Sequence, residues 1–300
     1  MAQATLRSRL AGAPILIAPG VYDALTAHLA ERAGFSAVYV SGAAIAYTRL
    51  GRPDIGLVAM SEVADTIALM RDRIGGHLIV DADTGYGNAL NVARTVRLFE
   101  RAGANAIQIE DQAFPKRCGH LDDKTLVPAR EMTGKIEAAL DARLSQETLV
   151  IARTDAVAVE GFERAIARAA SYREAGADIL FVEAPKTRDE LKRIPAALKG
   201  VPLMANMVEG GKTPPLNAAD LQGLGFSLVI FPGAIVRAVA RAAGDFYESL
   251  AVHGTSEPFR NRMYDFTGLN EVIGTPAMIA LGRQYEDAGT RSDGKKGGGQ

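Results

Sequence analysis

The sequence predicts an α/β fold of a single kind, a (β/α)8 TIM barrel, and three observations carry that prediction. Eight short apolar runs punctuate the 300 residues, amphipathic segments lie between them, and six of the eight runs end in polar residues. Short buried runs alternating with helices are the pattern of a parallel sheet, and eight repeats favour closure over an open sheet.

The runs fall at 15–18, 37–40, 78–81, 106–109, 149–153, 179–182, 203–206 and 228–231. Four follow a glycine suited to a helix C-terminus: Ala33-Gly34, Ala102-Gly103, Ala175-Gly176 and, more loosely, Gly225. A left-handed residue ends a helix there at least cost when it has no β-carbon, so each unit reads helix, turn, strand. The intervening segments 61–73, 129–143 and 161–172 have helical periodicity, with Ser61 as the expected N-cap of the first. An open doubly wound sheet is the alternative. It lacks its dinucleotide fingerprint, since Gly85-Tyr86-Gly87 is followed by Asn88-Ala89-Leu90 and no third glycine.

More helix follows the eighth run than one barrel unit needs: a stretch to about Ala251, then a final helix over 275–285. The expected organisation is a barrel domain over 1–251, a helical extension of the same domain over 252–290, and a disordered Gly- and Lys-rich tail at 291–300.

Composition narrows the function classes. Basic residues number 34 and acidic ones 35, for a formal charge of −1, so no footprint for nucleic acid or an anionic membrane exists. No run approaches the ~18 apolar residues of a membrane span. Pro19-Gly20 cuts the first run well short of a signal-peptide core of ~7–15 residues. The lone Cys118 rules out an intrachain disulfide. A cytoplasmic protein with a small-molecule partner is expected.

Active sites of such barrels lie at the C-terminal strand ends. The runs end in Ser41-Gly42-Ala43, Asp81-Ala82-Asp83, Glu110-Asp111, Arg153-Thr154-Asp155, Glu183 and Asn206, while the eighth ends in Phe231-Pro232. Asp81, Asp83 and Glu110 come from adjacent strands and would form an oxygen-rich site of the kind Mg²⁺ prefers, although Asp after a strand also caps helices. Lys116-Arg117-Cys118-Gly119-His120 places a thiol among cations, surroundings expected to lower its pKa. Arg153 suits a carboxylate substrate or a neighbouring acid, and the Ser41-Gly42-Ala43 backbone suits an oxyanion or an ordinary turn.

At Asp81-Ala82-Asp83-Thr84-Gly85-Tyr86-Gly87-Asn88, Glu110-Asp111-Gln112 and above all Lys116–His120 the chain resembles the isocitrate lyase and phosphoenolpyruvate mutase superfamily, in particular its methylisocitrate lyase and 2,3-dimethylmalate lyase branches. Pro53-Asp54, Glu183-Ala184-Pro185 and Ala205-Asn206-Met207 support it, and the likeness covers nearly the whole chain. The resemblance implies a homodimer or homotetramer with exchanged C-terminal helices, and Mg²⁺, replaceable by Mn²⁺, bound directly by Asp81 with Asp54, Asp83 and Glu110 on its waters. It further implies that Arg153, Asn206, Gly119 and the Ser41-Gly42-Ala43 backbone grip the substrate. The reaction implied is cleavage of a 2-hydroxy di- or tricarboxylic acid to pyruvate and a second acid through an enolate. Cys118, aided by His120 and Lys116, is then the acid, and Tyr39 or a Mg²⁺-bound group linked to Glu183 the base.

A carboxyphosphonoenolpyruvate-type phosphonomutase and an oxaloacetate hydrolase or decarboxylase remain open on the same scaffold. A non-catalytic barrel would lack polar residues at several strand ends, and six carry them. Phe231 to Ile235 are expected to line the pocket for the substrate's alkyl group.

Overall fold

In the computed structural model, residues 4–121 and 123–293 are described, with side chains up to 286. Eight parallel strands close a barrel in sequence order: β1 Leu16–Val21, β2 Ala37–Val40, β3 His77–Asp81, β4 Ala106–Glu110, β5 Leu149–Thr154, β6 Ile179–Val182, β7 Leu203–Asn206 and β8 Leu228–Phe231. Closure is made by β1 against β8, with Leu16 opposite Leu228. All eight expected runs are strands. β1 continues through Pro19-Gly20 to Val21, because β2 pairs with β1 only from Gly20 onward and so makes no demand on the missing Pro19 N–H. Gly20 is required there: a β-carbon would lie 2.2 Å from the Pro232 carbonyl oxygen.

Alternate residues of each strand point into the barrel. Leu16, Ala18, Ala37, Tyr39, Ile79, Ala106, Ile151, Phe181, Met204 and Ile230 form an inner core, joined by Leu6 and Leu10 of the short N-terminal helix Leu6–Leu10. The intervening residues, such as Val38, Val80, Ile107, Val150 and Leu180, pack outward against the helical layer. The helix expected over 61–73 is Met60–Arg73, and its N-cap is Ala59 rather than Ser61. Glu62 supplies the side-chain oxygen, accepting from the Ala59 N–H at 2.8 Å, so Ser61 has no capping to do.

The chain divides into two compact units, the first ending at Ala238 and the second beginning at Val239. Within the second, Phe259 packs edge-on to Phe246 at 5.4 Å beneath the Arg262 guanidinium, and Asp245 binds both Arg241 and Arg262. It also contains helices Phe266–Ile273 and Thr275–Asp293. The latter covers the first residues of the expected tail, whose remainder lies outside the described residues. No helix among the described residues is long and apolar enough to cross a membrane.

Candidate active site

The alternation that fills the barrel with Ala106 and Ile151 continues to the C-terminal strand ends, where the inward residues turn polar: Asp81, Gln108, Glu110, Arg153, Glu183 and Asn206. The β4 loop crosses over them. Together they enclose a cavity of about 60 Å³, lined by Tyr39, Ser41, Ala43, Asp54, Asp81, Lys116, Cys118, Gly119, His120, Arg153, Glu183 and Asn206. These are the residues the sequence singled out. Gly42, Asp83 and Glu110 stand immediately behind that lining.

Asp81 is aimed by a relay. The Tyr39 hydroxyl donates to Gln108 Oε1 at 2.9 Å, and Gln108 Nε2 donates to Asp81 Oδ1 at 3.1 Å, as does the Asp83 N–H. Oδ2 is left facing Gly42, where a β-carbon would come within 3.3 Å of it and 3.4 Å of Asp83 Oδ1. Burial, then the Asp81 charge, pushes the Tyr39 phenol well above its ordinary value. Tyr39 is therefore a neutral donor, which argues against its expected role as base.

The donor set fits a divalent cation. Among the described residues, Asp54, Asp81, Asp83, Glu110, Asp111, Asp155 and Glu183 are buried around these strand ends against four buried cations, Lys116, Lys124, Lys135 and Arg153. Glu110 Oε1 and Asn206 Oδ1 are buried without a hydrogen-bond partner. Burial pushes the Asp83 carboxyl up to about 6 despite Lys116 beside it, with Asp81 and Asp54 adding to the rise. Such an excess of desolvated negative charge is relieved by protons or by a cation. Among the described residues no three acidic, His or Cys side chains converge as direct ligands of one ion. A single direct carboxylate with water-mediated neighbours is compatible with Mg²⁺, which usually keeps several waters.

The β4 loop is pinned at each end of its Lys116–His120 stretch. Lys116 Nζ bridges Asp54 and Asp83, at 2.6 Å from the latter. His120 Nδ1 accepts from the Lys212 N–H at 3.0 Å, so the ring proton is on Nε2, 3.1 Å from Glu183 Oε1. Between them Gly119 touches the floor: a β-carbon would stand 2.4 Å from both Arg153 Nη2 and Glu183 Oε1.

The expected low thiol pKa is corrected by this geometry. Burial pushes Cys118 upward, outweighing the His120 backbone N–H that bonds to it. The two flanking cations do not help, because Lys116 is neutralised by two carboxylates and Arg117 turns toward Asp123. The thiol stays protonated at neutral pH.

Arg153 is held by protein acids. Its Nε and Nη2 bind Asp155 at 2.9 and 3.0 Å, and Nη1 meets Glu110 Oε2 at 3.2 Å. Burial opposes ionisation of Glu183, yet neighbouring Arg153 and His120 hold its carboxyl below the usual range. Asn206 Nδ2 lies 3.3 Å from both Glu183 oxygens. Asp111, by contrast, serves structure: it accepts from Thr154, Tyr172 and the Asp155 N–H between sheet and helices.

Sequence reasoning missed Gln108, Lys124 and the rim pair Arg237–Glu209 at 2.9 Å. Strand parity with Glu110 could have exposed Gln108; nothing marked Lys124. Of the residues expected to form an alkyl pocket, Pro232 and Gly233 line the cavity, whereas Phe231, Ala234 and Ile235 do not; from helix Ala234–His253 it is Arg237 that reaches the wall. Tyr47 and Val208 supply the remaining less polar wall.

A family model described as phosphoenolpyruvate phosphomutase matches residues 6–251. The chain is 42% identical to the 2,3-dimethylmalate lyase of Eubacterium barkeri over 94% of its own length and 97% of the relative's. It is 45% identical to the 2-methylisocitrate lyase of Aeropyrum pernix, covering 90% and 86%. Among solved structures, a crystal form of 2,3-dimethylmalate lyase superposes with a TM-score of 0.89 at 36% identity, over 93% of this chain and 94% of that one. A phosphonopyruvate hydrolase complex with oxalate and Mg²⁺ superposes with 0.84 at 32% identity, covering 93% and 97%.

Proposed function

Since the chain belongs to the phosphoenolpyruvate mutase and isocitrate lyase family, we propose that it is a carbon–carbon lyase that cleaves a 2-hydroxy di- or tricarboxylic acid of the 2-methylisocitrate or 2,3-dimethylmalate type to pyruvate and a second acid. The observation that carries this reading is the placement of a protonated Cys118 in the same cavity as Asp81, Arg153, Glu183 and Asn206. Asp81 would hold Mg²⁺, or Mn²⁺ in its place, through its open Oδ2, with Asp54, Asp83 and Glu110 on the coordinated waters. The bound ion supplies positive charge for the substrate's 2-oxygen and for the enolate that develops on cleavage.

The protein groups divide the proton transfers. Glu183, ionised beside Arg153, takes the 2-hydroxyl proton, and the oxygen's electron pair forms the carbonyl of pyruvate. The carbon–carbon bond pair passes to the departing acid, delocalised into its carboxylate. Cys118 delivers a proton to that carbon, as a neutral thiol at close range can. The thiolate recovers a proton from Glu183 as products leave, so the enzyme is unchanged. Arg153, Asn206 and the Gly119 and Ser41-Gly42-Ala43 backbone orient the substrate carboxylates, and the closed loop excludes water.

A cytoplasmic homodimer or homotetramer with exchanged C-terminal helices completes the reading, supported by the apolar surface of the second unit, where Tyr247, Tyr264, Phe266, Met278 and Tyr285 are exposed.

The test is a substrate panel of 2-methylisocitrate, 2,3-dimethylmalate, isocitrate, oxaloacetate and phosphonopyruvate, with and without Mg²⁺, with keto-acid and phosphate release followed. Metal-dependent pyruvate release from a methyl-bearing hydroxy acid is expected. Turnover of the phosphonate or of oxaloacetate alone would overturn the lyase reading.

A further inference from the structure

Lys124 is buried in the same loop as Cys118, and nothing in its sequence surroundings marks it. Its Nζ donates to the Gly119 carbonyl and to Asp155 Oδ1, the latter at 2.8 Å, with only 1% of its side chain exposed. Asp155 is wholly buried and holds the Arg153 guanidinium through both carboxylate oxygens. One ammonium thus joins the peptide beside Cys118 to the carboxylate that aims Arg153. The loop is also held by buried Lys116 on Asp54 and Asp83, by His120 against Glu183, and by Ala113 N–H to Thr125 O and Gln112 Nε2 to Arg117 O, each of these last two at 2.8 Å, but none of these reaches Asp155.

We propose that Lys124 is a positioning residue, a buried latch that seats the Cys118-Gly119 segment on the strand ends and fixes the Arg153 fork in the same act. The physical reason lies in the cost of each alternative. With the loop open, Lys124 would return to water and leave Asp155 with Arg153 alone, while the Gly119 carbonyl would lose a charge-assisted bond. With the loop closed, Gly119 must lie against Arg153 and Glu183, where no other residue fits. The latch therefore sets the closed population and the distance from thiol to substrate together. This role depends on the lyase reading for its catalytic consequence, though not for its conformational one.

The experiment separates the two. Cys118 is the only cysteine, so its alkylation by iodoacetamide reports loop opening without substrate or turnover. Replacing Lys124→Met should speed alkylation of the native protein about tenfold or more, as expected when a segment's local opening becomes easier. In the same variant kcat for the best panel substrate should fall about 10²-fold, with a much smaller change in KM, because misplacement by about an ångström costs rate before binding. A merely structural Lys124 would lower the unfolding midpoint and leave alkylation of the folded protein at the wild-type rate, which would overturn the proposal. Should Lys124→Met not fold, Asp155→Asn carries the test: it keeps the shape and removes the charge that holds both cations. Faster alkylation supports the latch, and an unchanged rate sinks it. If alkylation accelerates but no panel substrate turns over even in the wild type, the latch stands and the lyase reading falls.

Discussion

Gly119 admits no β-carbon, with Arg153 Nη2 and Glu183 Oε1 each 2.4 Å from where one would sit. Gly119→Ala should lower kcat/KM by about 10²-fold through displacement of the loop, while the unfolding midpoint, set mainly by the barrel core, stays close to wild type; a large loss of midpoint with kcat/KM retained in the folded fraction would contradict this. Tyr39 makes a different kind of contribution. Tyr39→Phe leaves Gln108 Oε1 buried without its donor and should cost about 1–3 kcal/mol of stability in urea titrations, with a weaker apparent Mg²⁺ affinity, and so a higher Mg²⁺ requirement, as Asp81 loses its orientation. Unchanged Mg²⁺ dependence would refute the relay. Asp81, Cys118 and Glu183 were legible in the sequence because each ends a run or sits in a short motif. Their protonation states were not: Lys116 beside Cys118 reads as an activating cation until Asp54 and Asp83, distant in sequence, are seen to neutralise it.

The eight strands were readable because a parallel strand buried on both faces is a continuous apolar run, and its end is marked where the inward residues become polar. The β4 loop was readable as chemistry and unreadable as geometry, since its closure depends on Lys124, Asp155 and Lys212, which share no local pattern. The N-terminal helix Leu6–Leu10 was also missed, being too short to show a period, yet Leu6 and Leu10 belong to the inner core. Leu10→Ala should destabilise by about 2–5 kcal/mol in chemical unfolding without altering kcat, as deletion of buried methyl groups far from the site does; a stability change near zero would show that this helix is dispensable. At the start of β3, His77 Nε2 donates to the Ala4 carbonyl at 3.0 Å, and burial lowers its pKa. A His with a depressed folded pKa binds protons less tightly when folded, so its contribution is present above the ordinary value of 6.5 and is lost as pH falls below it. The fall in unfolding midpoint between about pH 7 and about pH 5 should shrink in His77→Gln, and an undiminished fall would assign the acid sensitivity elsewhere.

Across the whole chain, near-neutral overall charge conceals a concentrated one. Among the described residues, seven carboxylates and four cations are buried around the strand ends, an imbalance that a composition of 34 basic and 35 acidic residues hides entirely. That imbalance is what the proposed cation would offset. The second unit carries the assembly side of the reading: Phe266 is 87% exposed and borders the same surface hollow as Ile279. Phe266→Asp should shift the protein to a smaller species in light scattering, and an unaltered mass would move the interface elsewhere. The central claim, that Cys118 is the acid of a metal-dependent lyase, is tested most directly by pyruvate release from 2-methylisocitrate and 2,3-dimethylmalate with Mg²⁺ present, wild type beside Cys118→Ser. The account predicts release by the wild type and a loss of about 10²- to 10⁴-fold in the variant, the range a positioned proton donor contributes. Equal release by the two proteins would contradict it.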